Sequence, residues 1–275
     1  MTDSTDDVDY YDPSLEEGHK RSRRTRRMKP ESDRPPVQKY PYSDWIKRLN
    51  AVFPPRGGYI EPLSEDWRQA RRGRLTASKR AEIIYNRRPA EWNALMDELN
   101  AELSPDYQWT EARGKALDWG REHEKGALAN IMLDHGRDVE DPGLLFHTEH
   151  PWIAATPDGI IEADRRRVSI QVKCPYNPRN HLDTLYSKTI RPVYFYQVQW
   201  EAMVAGADEI EFYSYDPRQP LATRLVRIDI PVQQEVVDRL YSNALEFGQM
   251  FVSGTKMAEG STTPEGIILP YGEET

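Results

Sequence analysis

Apolar and polar positions along the chain alternate with two different periods, and each period marks a different element. Between residues 116 and 135, Leu117, Ala127, Leu128, Ile131 and Met132 recur near helical spacing, so a helix is expected there. The stretch Ser169-Ile170-Gln171-Val172-Lys173 instead has a period of two, placing Ile170 and Val172 on one face of a strand and Gln171 and Lys173 on the other. The preceding Thr156-Pro157-Asp158-Gly159-Ile160-Ile161 is joined to it by a basic turn, so the two form a hairpin. Downstream, 193–205 reads as a helix closed by Gly206, on which Gln197 and Glu201 share one face and Tyr196 and Trp200 another. Strands are expected at 209–214 and 224–230, then an amphipathic helix over 232–252 ending at Gly254. Upstream, folded sequence begins near Tyr42 to Ile46. Ser64 caps a helix whose first turn carries Glu65 and Asp66, and Ser78 opens another over 79–85. The order is helix, helix, helix, hairpin, helix, strands, helix, which implies an α/β fold with a small mixed central sheet flanked by helices on both faces.

Composition adds boundaries to this picture. Residues 1–40 carry an acidic cluster, a basic run from Lys20 to Lys29 and a Pro-containing spacer, and are expected to form a disordered arm. The basic run suits a nucleic-acid tether, a nuclear import signal or simply a solvated arm. One domain is expected over 41–254, followed by a flexible tail over 255–275. The net charge of −8 argues against a protein that coats nucleic acid non-specifically, but not against a nuclease with local basic patches. The single cysteine, Cys174, excludes an internal disulfide framework and a structural zinc site, and fits a reducing compartment. No apolar run is long enough to span a bilayer, and the N-terminus is acidic rather than signal-like.

The hairpin carries the candidate chemistry. Asp158 at the end of one strand, beside Gln171-x-Lys173 on the next, offers oxygen ligands for a hard divalent cation and an ammonium next to an attacking water. The same residues also suit an exposed hairpin with an Asp-Gly turn. Arg71 and Ser78, at a helix start rich in Arg, form a candidate phosphate site. Glu124 lies at the edge of the apolar stripe of its helix, where an exposed role is the ordinary one.

Taken together, four blocks resemble the YqaJ-type viral recombinases, which include the lambda-exonuclease-like alkaline nucleases of the PD-(D/E)XK superfamily. They are Arg71-x-Gly73-x-Leu75-Thr76-Ala77-Ser78, Trp119-Gly120-x-x-x-Glu124, Thr156-Pro157-Asp158-Gly159 with Gln171-x-Lys173-Cys174-Pro175, and Tyr196-Gln197-x-Gln199. The resemblance implies a restriction-endonuclease-like core and a Mg²⁺-dependent deoxyribonuclease, with Mn²⁺ able to substitute. By this resemblance Asp158, Gln171, Glu124 and the Val172 backbone carbonyl hold the metal, Lys173 stands beside the nucleophilic water, and Gln197 helps order the site. Arg71 and Ser78 match the pocket for a terminal 5′-phosphate, and Arg74, Thr76 and Gln199 are further candidate DNA contacts. The family usually has Glu where this chain has Gln171, which removes one unit of ligand charge.

The implied activity is a 5′→3′ exonuclease on linear double-stranded DNA, leaving 3′ single-stranded overhangs for an annealing or strand-exchange partner. A catalytically weakened DNA-end-binding scaffold and a restriction-type endonuclease are the alternatives. The resemblance also suggests a ring-shaped homotrimer. It points to a cytoplasmic location, in the host cytoplasm if the protein is phage-encoded, or to the nucleus for a eukaryotic source.

Overall fold

The period-two stretch around Gln171 becomes strand β4 (Arg166–Lys173) in the computed structural model, which describes residues 43–53, 58–110, 113–136, 138–163 and 165–258. These all belong to the unit Lys39–Thr275. β4 pairs antiparallel with β3 (Gly159–Ala163) on one side and parallel with β5 (Glu209–Tyr215) on the other. β5 then pairs antiparallel with β6 (Leu225–Pro231), giving the order β3-β4-β5-β6. Parallel pairing of β4 with β5 requires a crossover, and helices α6 (Pro178–Ser187) and α7 (Pro192–Ala205) supply it. A two-stranded sheet, β1 (Leu145–Phe146) with β2 (Ala154–Ala155), lies outside this arrangement.

Both faces of the sheet are covered. On one, Ile210 and Phe212 of β5 and Val226 and Ile228 of β6 join a large core with α1 (Ser43–Val52), α3 (Ser78–Asn86), α4 (Pro89–Glu102), α7 and α8 (Gln234–Ser253). Trp45 and Trp152 stack there with ring centroids 4.6 Å apart, and Trp92 meets Phe247 edge-on at 5.4 Å. On the other face, Ile170 and Val172 pack with Ala127 and Ile131 of α5 (Lys115–His135), and with Tyr213 and Tyr215. Double-sided burial leaves every residue of β5 from Ile210 to Tyr215 buried, Glu211 and Ser214 included.

The expected elements appear within one or two residues of their forecast ends, and Ser64 caps α2 (Glu65–Arg71) by accepting from the Trp67 N–H. Three helices lie beyond the expected series, α1 at the expected start of folded sequence and two more. α4 buries Trp92, Leu95, Met96 and Leu99, an i, i+3, i+4, i+7 pattern. α6 starts at Pro178 with Asn177 as its cap. The forecast of a flexible tail from 255 is corrected for its first residues: Met257 is buried, and its backbone exchanges two hydrogen bonds with the Asn93 side chain. Residues 259–275 and the arm over 1–40 lie outside the described residues. Among the described residues, no helix is long and apolar enough to cross a membrane.

The turn between α2 and α3 positions half of the candidate site. Gly73 there has φ +67°, and a Cβ would fall 2.4 Å from Leu103, so glycine is required twice over. Buried Glu102 of α4 accepts the Gly73 N–H at 2.7 Å and pairs with Arg80 of α3. Arg80 keeps Glu98 and the Arg74 carbonyl without Glu102, but Glu102→Ala leaves the buried Gly73 N–H unpartnered, so it should destabilise the fold by about 2 kcal/mol, read as a lowered urea midpoint.

Candidate active site

Asp158 lies just ahead of β3, where the pairing register fixes it: its N–H donates to the Ile170 carbonyl at 3.0 Å. Its Oδ2 accepts the Val172 N–H at 2.7 Å and a close hydrogen bond from Gln171 Nε2. That same Nε2 donates to the Val172 carbonyl at 3.2 Å. The Gln171 NH₂ therefore stands between two oxygens, the Asp158 carboxylate and the Val172 carbonyl.

The other end of the Gln171 amide faces α7. Gln171 Oε1 accepts from Gln197 Nε2 at 2.7 Å, and Gln197 Nε2 also donates to Glu201 Oε1 at 2.8 Å. The four side chains form a continuous line, Asp158–Gln171–Gln197–Glu201. Glu201 is 1% exposed and its Oε2 has no hydrogen-bond partner. α7 is apolar on nearly all sides and buried accordingly, so its polar residues are carried into the interior with it.

Charges accumulate in this region. Burial raises the Asp158 pKa, against the opposing effects of Lys173, the Val172 N–H and the Gln171 side chain. Glu124 is raised to about 7, first by burial and then by the Asp158 charge; its residue surface is still exposed, yet neighbouring atoms crowd its carboxyl. Glu201 is pushed up to about 8, by burial and then by Asp158. Lys173 is half-buried, its Nζ 5.3 Å from the centre of the Tyr194 ring. Asp158, Glu124 and Lys173 therefore lie within electrostatic reach of one another, with Gln171 and Gln197 beside them.

No three His, Cys, Asp or Glu side chains among the described residues form a ready metal cluster. The donor set nonetheless suits Mg²⁺, which takes oxygen ligands, keeps several waters and uses only one or two carboxylates. Asp158 and Glu124 supply the carboxylates, and the Val172 carbonyl is a neutral oxygen already turned to the same point as Asp158. The Gln171 amide fits only in part, because its NH₂ end rather than its oxygen faces that point.

The Arg71 segment is tied to the hairpin through Trp67. The Arg71 guanidinium lies 4.0 Å from the centre of the Trp67 ring, and Trp67 Nε1 donates to Thr156 Oγ1 at 3.2 Å, two residues before Asp158. Arg71 also reaches Thr76 Oγ1 at a long 3.5 Å, and no described carboxylate forms an ion pair with it. Burial and the Arg80 charge lower its pKa to about 10, so it is still cationic at neutral pH. Ser78 is exposed at the start of α3 with φ +45°, a strained conformation for a residue with a side chain.

Three residues expected to contact DNA are buried in the structure. Arg74 is buried and its guanidinium donates to the carbonyls of Pro151 and Ala70. Thr76 is buried beneath Arg71. Gln199 is fully buried, donating to the Pro231 carbonyl and accepting the Gln233 N–H. These residues hold the fold together. Conversely, two acids carry no expected role and belong to the region. Glu201 was detectable only as the i+4 neighbour of Gln197. Asp141, whose charge raises both Asp158 and Glu124, is anchored by Tyr59 at 2.6 Å and by the Gly143 N–H. Its signal is the turn sequence Asp141-Pro142-Gly143.

Glu201 allows a direct test of the electrostatics. Its folded pKa of about 8 lies above the 4.5 of a free glutamate, so the folded state binds the proton more tightly. This carboxyl therefore lowers stability progressively as pH rises between those values. Glu201→Gln should leave the melting temperature unchanged at pH 4.5 and raise it at pH 9, with most of the divergence between pH 5 and 8.

The solved structures that resemble this one include three of exonucleases. An alkaline exonuclease from Laribacter hongkongensis is 24% identical and aligns over 70% of this chain and 94% of its own, with a TM-score of 0.60. The same exonuclease in complex with dAMP aligns at 26% identity over the same shares, with a TM-score of 0.62. A phage-related exonuclease from Haemophilus somnus 129PT is 16% identical over 71% of this chain and 91% of its own, with a TM-score of 0.45. No curated protein matches the chain. The shared architecture is restriction-endonuclease-like, as expected. The model of the YqaJ-like viral recombinase domain matches residues 66–208, a span that holds Arg71, Ser78, Glu124, Asp158, Lys173 and Gln197 and makes up just over half the sequence. The chain belongs to the YqaJ-like viral recombinase domain family.

Proposed function

We propose that the protein is a Mg²⁺-dependent exonuclease that removes nucleotides from the 5′ ends of linear duplex DNA. The observation that carries this reading is the convergence of the Asp158 carboxylate and the Val172 carbonyl beside Lys173 and Glu124, with Arg71 joined to the same hairpin through Trp67 and Thr156. Family membership and the likeness to an alkaline exonuclease crystallised with dAMP support it.

Asp158, Glu124, the Val172 carbonyl and the Gln171 amide oxygen would hold the cation. When bound, it supplies positive charge to the scissile phosphate and lowers the pKa of a coordinated water. Lys173 adds a point charge beside that phosphate, with the Tyr194 ring limiting where its ammonium can go. Water adds to phosphorus and the P–O3′ bond breaks, releasing a nucleotide with a free 3′-hydroxyl. The shortened strand keeps a 5′-phosphate.

Arg71 and Ser78 hold that phosphate and thereby present the next linkage to Lys173 and Asp158, so each cut regenerates the group that positions the following one. Stepwise removal from this end leaves 3′ overhangs, the substrate of an annealing or strand-exchange partner. A binding-only reading rests on one observation, the Gln171 NH₂ lying where the cation would go.

End-labelled linear duplex incubated with Mg²⁺ or Mn²⁺ should release mononucleotides; duplex binding without release favours the scaffold. Asp158→Ala and Lys173→Ala should each lower turnover by about 10³-fold while leaving end binding intact. Arg71→Ala should reduce the preference for 5′-phosphorylated over 5′-hydroxyl ends by about tenfold, the worth of one charge-assisted contact. An unchanged preference refutes the phosphate pocket.

A further inference from the structure

Gln171 occupies the candidate cation position with the wrong end of its amide. Its Nε2 donates to both Asp158 and the Val172 carbonyl, and a cation there requires oxygen instead. The two ends of an amide are nearly equal in size, so turning it over costs only its hydrogen bonds. Those bonds are set by the neighbours. With Gln171 turned, its Nε2 would face Gln197 Nε2, donor against donor. Gln197 must then turn as well, presenting its oxygen to both Gln171 and Glu201. An oxygen facing Glu201 Oε1 is tolerated only if Glu201 donates a proton, since Gln197 has no second acceptor-facing arrangement along this line.

We infer that Glu201, acting through Gln197, is a positioning residue that sets which end of the Gln171 amide faces Asp158, and so whether Gln171 can act as a metal ligand. The inference rests on the metal-dependent reading above. The amide line has two self-consistent hydrogen-bond directions. With Glu201 as acceptor, Gln197 donates to both Glu201 and Gln171, and the Gln171 NH₂ fills the gap between Asp158 and Val172. With Glu201 as donor, the direction reverses and the Gln171 oxygen is offered to a cation. A neutral Glu201 favours the reversed line, and burial at 1% exposure favours the neutral acid. The unpartnered Oε2 supports the same reading. A permanently ionised carboxylate in this interior would need hydrogen bonds to both oxygens, and only Oε1 has one. Asp158, Lys173 and Arg71 are the charged groups that act on it.

Direct Mn²⁺ binding, followed by electron paramagnetic resonance at pH 7 without DNA, tests this in six proteins: wild type, Glu201→Gln and Glu201→Met, each with Gln171 or with Gln171→Glu. Glutamine at 201 still donates to Gln197 and should hold affinity within about twofold of wild type. Methionine fills the space without donating and should lose about tenfold, as when the partner that orients a metal ligand is removed. In the Gln171→Glu background a carboxylate presents oxygen whichever way it lies, so the Glu201→Met loss should vanish. Melting curves identify any unfolded variant, and the glutamine arm, isosteric with the native residue, then still decides the matter. A tenfold loss in Glu201→Gln would mean that the negative charge of Glu201 is what counts, and overturns the inference. So would equal losses from Glu201→Met in both backgrounds, or no loss in either. Failure of both wild type and Gln171→Glu to bind Mn²⁺ at all overturns the metal-dependent reading itself, and the positioning role with it.

Discussion

Asp158, Gln171, Gln197 and Glu201 hold one another in a line through the interior, each hydrogen bond setting the orientation of the next side chain. Buried polar groups tolerate such an arrangement only when the elements carrying them stay in register to within a few tenths of an ångström. Much of the fold serves that requirement. β4 is clamped between β3 and β5, so Gln171 cannot shift along the strand without breaking two ladders. α7 is pinned on both flanks: Trp200 Nε1 donates to the Ala154 carbonyl at 2.9 Å, and Gln199 links to Pro231 and Gln233 at the join between β6 and α8. Two residues whose chemistry could have served a substrate instead fix the helix that carries Gln197 and Glu201.

A second set of contacts ties the proposed phosphate pocket at Arg71 to this line. Trp67 accepts the Arg71 guanidinium on its ring face and donates to Thr156, while Glu102 and Arg80 brace the Gly73 turn from behind. An enzyme that measures one nucleotide from a strand end needs a fixed spacing between the group holding the terminal phosphate and the group attacking the next linkage. The Trp67–Thr156 bond supplies that rigidity across 89 residues of sequence. It also explains why a half-buried Arg71 without a paired carboxylate is tolerated, since the ring face gives the cation a partner that leaves its N–H groups free for phosphate.

Residue type and period revealed much of this site. Asp158 before a strand, Lys173 two positions after Gln171, and Glu124 at the edge of an apolar stripe could all be located from the sequence, because strands and helices fix which positions share a face. The roles of Arg74, Thr76 and Gln199 could not. A polar residue beside a functional block has the same letter whether it meets DNA or a backbone carbonyl, and the carbonyls of Pro151, Ala70 and Pro231 come from distant parts of the chain. Glu201 was hidden for a related reason. Its i+4 relation to Gln197 was visible, but its significance depends on burial of α7 on all sides and on Gln171 reaching across from β4. The stretch 255–258 reads as tail because it leads into a run rich in Gly, Thr, Glu and Pro, yet buried Met257, its two hydrogen bonds with the Asn93 side chain and the Lys256–Asp97 pair hold it.

The amide at position 171 also bears on the charge of the site. Asp158, Glu124 and Glu201 are all raised in pKa, so the protein without a cation is already under strain from gathering carboxyl groups in a poorly hydrated space. A fourth carboxylate at position 171 would bind a cation more strongly and would also deepen that strain. Glutamine takes the opposite course: its NH₂ neutralises part of the Asp158 charge through hydrogen bonding, stabilising the metal-free fold while weakening the ligand set. On the proposed metal-dependent reading, such a site would gain selectivity from the reversal. The cation would have to displace an internal hydrogen-bond donor and leave the line beyond it satisfied, which would tie metal binding to the arrangement of Gln197 and Glu201 rather than to ligand charge alone.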